Sequence, residues 1–340
     1  MNLLISALEP SANLHLEPIL QKIPDTTISG IFDPKFGTPL YASSEFSVMG
    51  FLDILPKIFK AKEAIREMVF LSKEADTVLL IDSPAFNLPL AKAIKEKYPD
   101  KKIVYYILPK VWAWNKKRVK KVEAYVDIQA SIFPFEKQFY PNCTYVGNPL
   151  LDEIHTLHDP EKTYHQTTFL PGSRRGEIKK LMPVFREVAK EIEGKKVLVA
   201  PTFFKDKNLE EIYGDTEGFE ISFDMQKSVS ESNFAFICSG TATLEAALIG
   251  TPFVLTYKAK ALDYFIGSRV VQLKHVGLAN IIMDFEGKEA VHEEFLQDDA
   301  NKENLLHAYQ NFDKARFAQN AKALKEILAH GSAKNVINLL

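Results

Sequence analysis

The chain has 340 residues, with 42 Lys and Arg against 44 Asp and Glu, for a formal net charge of −2. That balance leaves no global basic field, so nucleic acid is not an expected partner. The two cysteines, Cys143 and Cys238, cannot make a disulfide framework and lack metal-site spacing, and no apolar run approaches bilayer-spanning length.

The length admits two domains with separate cores. The first apolar run, Asn2–Ala7, predicts a strand. Its N-terminal flank lacks the basic start and long apolar core of a secretory leader, so a cytoplasmic location is expected. A polar turn, Glu9-Pro-Ser-Ala-Asn13, follows the run and contains Ser11. Further on, Ile54, Leu55, Ile58, Phe59, Ile65, Met68 and Val69 share one helical face, rimmed by Lys57, Lys60, Lys62 and Arg66. Two readings stand: a helix lying in a membrane interface, or a core-facing helix with solvated lysines.

Thr77–Asp82 is apolar almost throughout, as suits a strand covered on both faces of a parallel sheet. It runs into Asp82-Ser-Pro-Ala-Phe-Asn87 and then the amphipathic segment Leu88–Lys97. Carboxylates at strand ends serve as bases or as helix caps, and Glu9 and Asp82 are open to both readings. After a strand at Lys102–Tyr106, Trp112 and Trp114 stand beside Lys116, Lys117, Arg118, Lys120 and Lys121. Tryptophan with a basic cluster suits an anionic lipid surface, and equally a structural pair beside a solvated helix. Strands follow at Ile128–Ser131 and Thr144–Val146, and Gly147-Asn-Pro149 opens a polar stretch to about His165, read as a linker.

The second half repeats the alternation, with strands at Thr167–Leu170, Lys196–Ala200, Asn233–Cys238 and Pro252–Thr256. Helical segments are predicted at Ile178–Val188 and across the tail, including Ala315–Ala329. Repeated strand–helix units argue for an α/β fold. Two strand ends carry small and polar residues: Leu170-Pro-Gly-Ser-Arg174 and Cys238-Ser-Gly-Thr-Ala-Thr-Leu-Glu245. A turn of this kind before a helix lets backbone N–H groups approach a phosphate, and the helix start adds partial positive charge. Arg174 has the planar fork that grips a diphosphate. Glu245, a turn further on, can accept from sugar hydroxyls. Two such strand ends in one half favour a nucleotide diphosphate. No Walker loop, Gly-x-Gly-x-x-Gly, His-Glu-x-x-His or Gly-x-Ser-x-Gly occurs.

Together these segments resemble the lipid-A-disaccharide synthase family, glycosyltransferases of the GT-B fold. The motifs that carry the resemblance are Val48-Met-Gly50, Ile81-Asp-Ser-Pro-Ala-Phe-Asn87, Val111-Trp-Ala-Trp114, Pro134-Phe-Glu136, Val146-Gly-Asn-Pro149, the two strand-end motifs, Gly277-Leu-Ala-Asn280 and Glu294-Phe-Leu-Gln297. The resemblance implies two Rossmann-like domains whose parallel sheets face across a cleft. Residues 1–160 would form the acceptor and lipid domain. Residues 161–340 would form the UDP-sugar domain, with the C-terminal helix packing back on the first.

The implied reaction joins UDP-2,3-diacylglucosamine to 2,3-diacylglucosamine 1-phosphate (lipid X), giving lipid A disaccharide 1-phosphate and UDP. It needs no cofactor and no metal. It takes place on the cytoplasmic side of the inner membrane of a Gram-negative bacterium, with the protein peripherally attached and a homodimer among the assemblies allowed. Another GT-B enzyme, such as a UDP-sugar epimerase, and a non-catalytic UDP-lipid-binding module are the alternatives. Carried over by motif, Gly172, Ser173, Arg174, Ser239, Gly240, Thr241, Thr243, Glu245 and Asn280 would hold UDP. Glu294, Gln297, Asn87, Ser11 and Met49 would complete the substrate contacts. Arg174 would stabilise the departing UDP, and Asp82 (preferred) or Glu9 would be the base. The chain departs from the family pattern at Leu8-Glu-Pro-Ser-Ala-Asn13, where Gly-Glu-x-Ser-Gly-Asp is common, and at Ala85, where the family carries an aspartate proposed as the base.

Overall fold

The computed structural model describes residues 1–47, 54–258 and 273–340, with the side chains of 47 and 54–58 also outside the description. The chain divides into two compact units: Met1–Glu153 with Leu328–Leu340, and Ile154–Ile327.

The first unit is built on a seven-stranded parallel sheet. Its strands are β1 (Asn2–Ser6), β2 (Thr27–Phe32), β3 (Tyr41–Ala42), β4 (Thr77–Ile81), β5 (Lys102–Tyr106), β6 (Ile128–Ser131) and β7 (Thr144–Tyr145). They lie in the order β3-β2-β1-β4-β5-β6-β7. The helices are α1 (Pro10–Leu20), α2 (Ser44–Ser47), α3 (Ile54–Leu71), α4 (Pro84–Lys97), α5 (Arg118–Tyr125) and α6 (Leu150–Glu153). Every residue of β4 is buried, because helices cover both faces of a parallel sheet. β2 passes so close to β1 that a Cβ on Gly30 would collide with the Ile5 carbonyl oxygen, and Gly30 has φ +114. Only glycine meets both demands.

The second unit holds a six-stranded parallel sheet of β8 (Gln166–Leu170), β9 (Lys195–Val199), β10 (Glu220–Ser222), β11 (Phe234–Cys238), β12 (Phe253–Tyr257) and β13 (Glu294–Leu296), in the order β10-β9-β8-β11-β12-β13. Its helices are α7 (Arg175–Glu191), α8 (Leu209–Tyr213), α9 (Met225–Ser230), α10 (Thr241–Ile249), α11 (Leu278–Phe285), α12 (Lys302–Gln310) and α13 (Lys314–Leu328). On α7 the apolar face Ile178, Leu181, Met182, Phe185 and Val188 packs against Phe169 and Phe236 of the sheet. A last helix, α14 (Ala333–Ile337), belongs to the first unit and packs on α1.

Strand order reverses between β1 and β4 in one sheet and between β8 and β11 in the other. In doubly wound sheets the chain leaves such neighbouring strands in opposite directions, opening a crevice at their carboxyl ends.

The structure takes three sequence readings further. The boundary between the two units, Glu153 to Ile154, falls inside the stretch from Gly147 to about His165, whose first residues are anchored. Asn148 donates its N–H to the His330 carbonyl and its amide to Ile132, and accepts from Leu150. The face of α3 that bears Met68 and Val69 is core, packed with Ala64 against α4. The exposed aromatics of that helix are Phe59 and Phe70, each 70% exposed. Trp112 is buried, whereas Trp114 is 53% exposed with Arg118 over its ring.

Candidate active site

The switch point of the first unit carries two carboxylates. Glu9 ends the β1 loop as the N-cap residue of α1, and Asp82 follows β4, the neighbouring strand. Glu9 is reachable by solvent. Partial desolvation of its carboxyl and, second, the charge of Asp82 push it above its ordinary value. Asp82 and Ser83 both adopt left-handed backbone, φ +49 and +43, an uncommon state for residues with a side chain. Such backbone persists only where the surrounding structure over-determines it. Asp82 Oδ1 accepts from the Ser83 N–H at 2.8 Å, and its carbonyl accepts from Tyr105 Oη and the Asn87 amide. Ser83 Oγ is buried without a partner. Ala85 is exposed one step along α4, and Ser11 is exposed in the first turn of α1.

Asn87 has a different task. It is fully buried, donates to the carbonyls of Ile81 and Asp82, and accepts from Ser6 Oγ at 2.6 Å. Its polar atoms are engaged at the β4 corner, where they hold the backbone of Asp82. Asn13 does the same for β1: its amide donates to Ala7 and Glu9, and its oxygen accepts from Asp33. Met49 lies outside the described residues.

At the switch point of the second unit, the loops after β8 and β11 meet. Gly172 has φ +99, and an added Cβ there would stand 3.0 Å from Glu177 Oε2 and 3.1 Å from Cys238 Sγ. Both following helices, α7 after Arg174 and α10 after Gly240, start without a side-chain cap. Helix starts without a capping side chain are places where an anion can dock, although the Glu177 and Thr243 N–H groups already turn back to the Arg174 and Gly240 carbonyls. Ser173, Gly240 and Thr241 are exposed, and Ser239 is half-buried. Open space surrounds Gly240. The Arg174 side chain is 81% exposed and donates to Glu177 Oε1 at 2.9 Å. The Glu177 carboxylate, by that hydrogen bond and by its charge, holds the guanidinium above its ordinary value. Burial pushes the Cys238 thiol up to about 12, with the Glu177 charge second, so the group is inert packing.

Thr243 is buried and donates to the Gly240 carbonyl at 2.8 Å, closing the α10 turn from inside. Glu245 receives the Gln226 amide at 3.0 Å, so Gln226 on α9 holds the carboxylate in place. Nothing in the sequence around Gln226 signals that task, since only the packing of α9 on α10 creates it.

On the outer strand, Glu294 and Asn280 form one lock. Glu294 accepts from the N–H groups of Val276 and Gly277 and from the Asn280 amide, while Asn280 Oδ1 accepts from Val291 and His292. Both hold the start of α11 to β13 with their polar atoms engaged. Gln297, just past β13, has φ +53 and a buried Nε2 with no partner. An unmet buried donor at a strand's carboxyl end is a group waiting for an acceptor. Among the described residues, no cluster of His, Cys, Asp and Glu is arranged to hold a metal ion, and no helix is long and apolar enough to cross a membrane.

The two sheets, their strand order and the loops at their switch points define the GT-B class of glycosyltransferases. Solved structures of that fold include MurG from Acinetobacter baumannii, at TM-score 0.60 and 13% identity over 99% of this chain and 98% of that one. A putative UDP-N-acetylglucosamine 2-epimerase from Listeria monocytogenes aligns at TM-score 0.61 and 16% identity, over 99% and 94%. At such identities the likeness speaks for the fold alone.

Sequence relatives carry the assignment further. The family model described as lipid-A-disaccharide synthetase matches residues 3–338. A lipid-A-disaccharide synthase of Campylobacter jejuni (strain RM1221) is 50% identical, with 99% of this chain and 98% of the relative covered. One from Helicobacter pylori (strain G27) is 47% identical, over 99% and 97%. The chain belongs to the lipid-A-disaccharide synthase family and is a glycosyltransferase.

Proposed function

We propose that this protein transfers 2,3-diacylglucosamine from its UDP carrier to the 6-hydroxyl of 2,3-diacylglucosamine 1-phosphate, releasing UDP and inverting the anomeric centre. One observation carries the reading. Each sheet presents chemistry at its own switch point, carboxylates in the first unit and an anion cradle with Arg174 in the second.

In this mechanism the acceptor oxygen attacks the anomeric carbon as its proton passes to a carboxylate. The bond from that carbon to the diphosphate breaks, and UDP leaves with the electron pair. Glu9 is the better acceptor of that proton. Its raised affinity for protons suits a general base, whereas one Asp82 oxygen is tied to the Ser83 N–H. Asp82 acts on Glu9 through its charge. Arg174 and the start of α10 receive the charge that builds on the diphosphate. Gln297 Nε2 supplies a further donor to the substrate, and Glu245, held by Gln226, accepts from the ribose hydroxyls. Exposed Phe59, Phe70 and Trp114, with Lys62, Arg66, Lys116 and Lys117, support attachment to an anionic membrane surface near the lipid substrates.

The test is incubation of the purified chain with both lipid substrates, with and without EDTA. Disaccharide should form equally in both, and Arg174→Ala should lower kcat by about 10²–10³-fold. Glu9→Gln should cost far more rate than Asp82→Asn. In the wild type kcat/KM should fall as pH drops through the raised Glu9 value, because the protonated carboxyl cannot accept. UDP binding without turnover would reject catalysis, and full activity of Glu9→Gln would reject the base.

A further inference from the structure

Glu177 is an anionic side chain placed inside a cradle built for an anion. It sits in the first turn of α7 with only 12% of its side chain exposed. One carboxylate oxygen accepts from Arg174 Nη1 at 2.9 Å, and the other faces Gly172, 3.0 Å from where a Cβ would stand. Its charge also reaches Cys238, at the end of the adjacent strand β11. Glu177 therefore occupies the corner between the two loops, while the guanidinium it holds is mostly in solvent.

An ordinary cap would turn its carboxylate to the free N–H groups of its own helix. Glu177 directs one oxygen to the arginine that the proposed reaction requires. We propose that Glu177 is a positioning residue that competes with the diphosphate for Arg174. It parks the guanidinium over the Gly172 turn when the cradle is empty, yields it to the incoming diphosphate, and reclaims it to help expel UDP. The inference rests on the proposed UDP site and adds a device for emptying it.

Competition makes an unusual prediction, because removing the competitor strengthens binding. Glu177→Gln keeps shape and an acceptor but loses the charge. UDP affinity, measured by calorimetry on the full chain at low salt, should rise at least about threefold, as befits a partly exposed ion pair. UDP product inhibition should deepen in parallel. The gain should shrink in high salt and vanish when Glu177→Gln is made in an Arg174→Ala background.

Unchanged or weaker UDP binding in Glu177→Gln would overturn the proposal, since a purely structural cap can only weaken the site when altered. A gain that persists in full without Arg174 would overturn it too, as simple repulsion needs no arginine. Failure of the wild-type chain to bind UDP would instead sink the underlying nucleotide assignment.

Discussion

Glu136 illustrates how far one buried carboxyl can act. It is almost fully buried in the short helical turn Pro134–Gln138 that follows β6, accepting from Trp112 Nε1 at 3.2 Å and Ser131 Oγ at 2.7 Å. Desolvation pushes it up from 4.5 to about 7, against the pull of those bonds. The sign follows from proton counting: between these two values the folded chain holds a proton that the unfolded chain has lost. Stability present below 4.5 is therefore lost as pH rises through about 7, by about 3 kcal/mol. Glu136→Gln fixes the neutral form, so urea unfolding at pH 5 and pH 8 should show a wild-type loss that the variant lacks. Parallel profiles would contradict this. Residue type alone hid the role, because Pro134-Phe-Glu136 says nothing of burial. The same gap explains Asn87, Thr243, Asn280 and Glu294. Their polar chemistry is plain in the sequence, yet only the fold reveals that internal partners have consumed it.

Among elements, α3 shows what periodicity can and cannot decide. Of the apolar face read from the spacing, Met68 and Val69 are buried and Ile65 is half-buried, but Phe59 is exposed. Whether that face meets protein or lipid depends on a neighbour, and α4 supplies it. The exposed side instead carries Phe59 and Phe70, eleven positions apart and about three turns, hence on nearly the same line. Lys62 and Arg66 lie between them. Phe59→Ser with Phe70→Ser should leave the melting temperature nearly unchanged, since both rings are already in water. The double variant should bind vesicles containing anionic phosphatidylglycerol less well. Equal vesicle binding would remove α3 from the membrane-facing surface. Long apolar strands such as β4 and β11 were equally legible, whereas β2, β10 and β13 were not. β2 is interrupted by Gly30, β10 has three residues, and β13 opens on Glu294 straight after Glu293. These strands owe their pairing to neighbours rather than to their own pattern.

At the scale of the molecule, strand order lay beyond the sequence, because pairing across a crossover leaves no local mark. The last segment of the chain leaves no local mark of its place either, and its return to the first domain was an expectation of the family resemblance alone. Leu328, Ser332, Ala333 and Val336 are buried in the first unit although more than 170 residues of the second unit intervene. Asp152 gathers the N–H groups of Ser332 and Ala333 at 2.6 and 2.9 Å, and Tyr145 Oη donates to the Leu328 carbonyl. The Leu340 carbonyl accepts from Thr77 Oγ1 and Lys102 Nζ, fastening it to β4 and β5. Exposing Leu328 and Val336 alone would forfeit roughly 3–6 kcal/mol of apolar burial, a large share of a typical domain's net stability of about 5–15 kcal/mol. Leaving Asp152 and Tyr106 without their Ser332 partner adds to the loss. Deletion of 328–340 should therefore collapse hydrogen-exchange protection in β1, β4 and β5 while β8, β11 and β12 keep theirs. Uniform retention of protection across both sheets would mean that the segment merely rests on the first unit instead of completing its core.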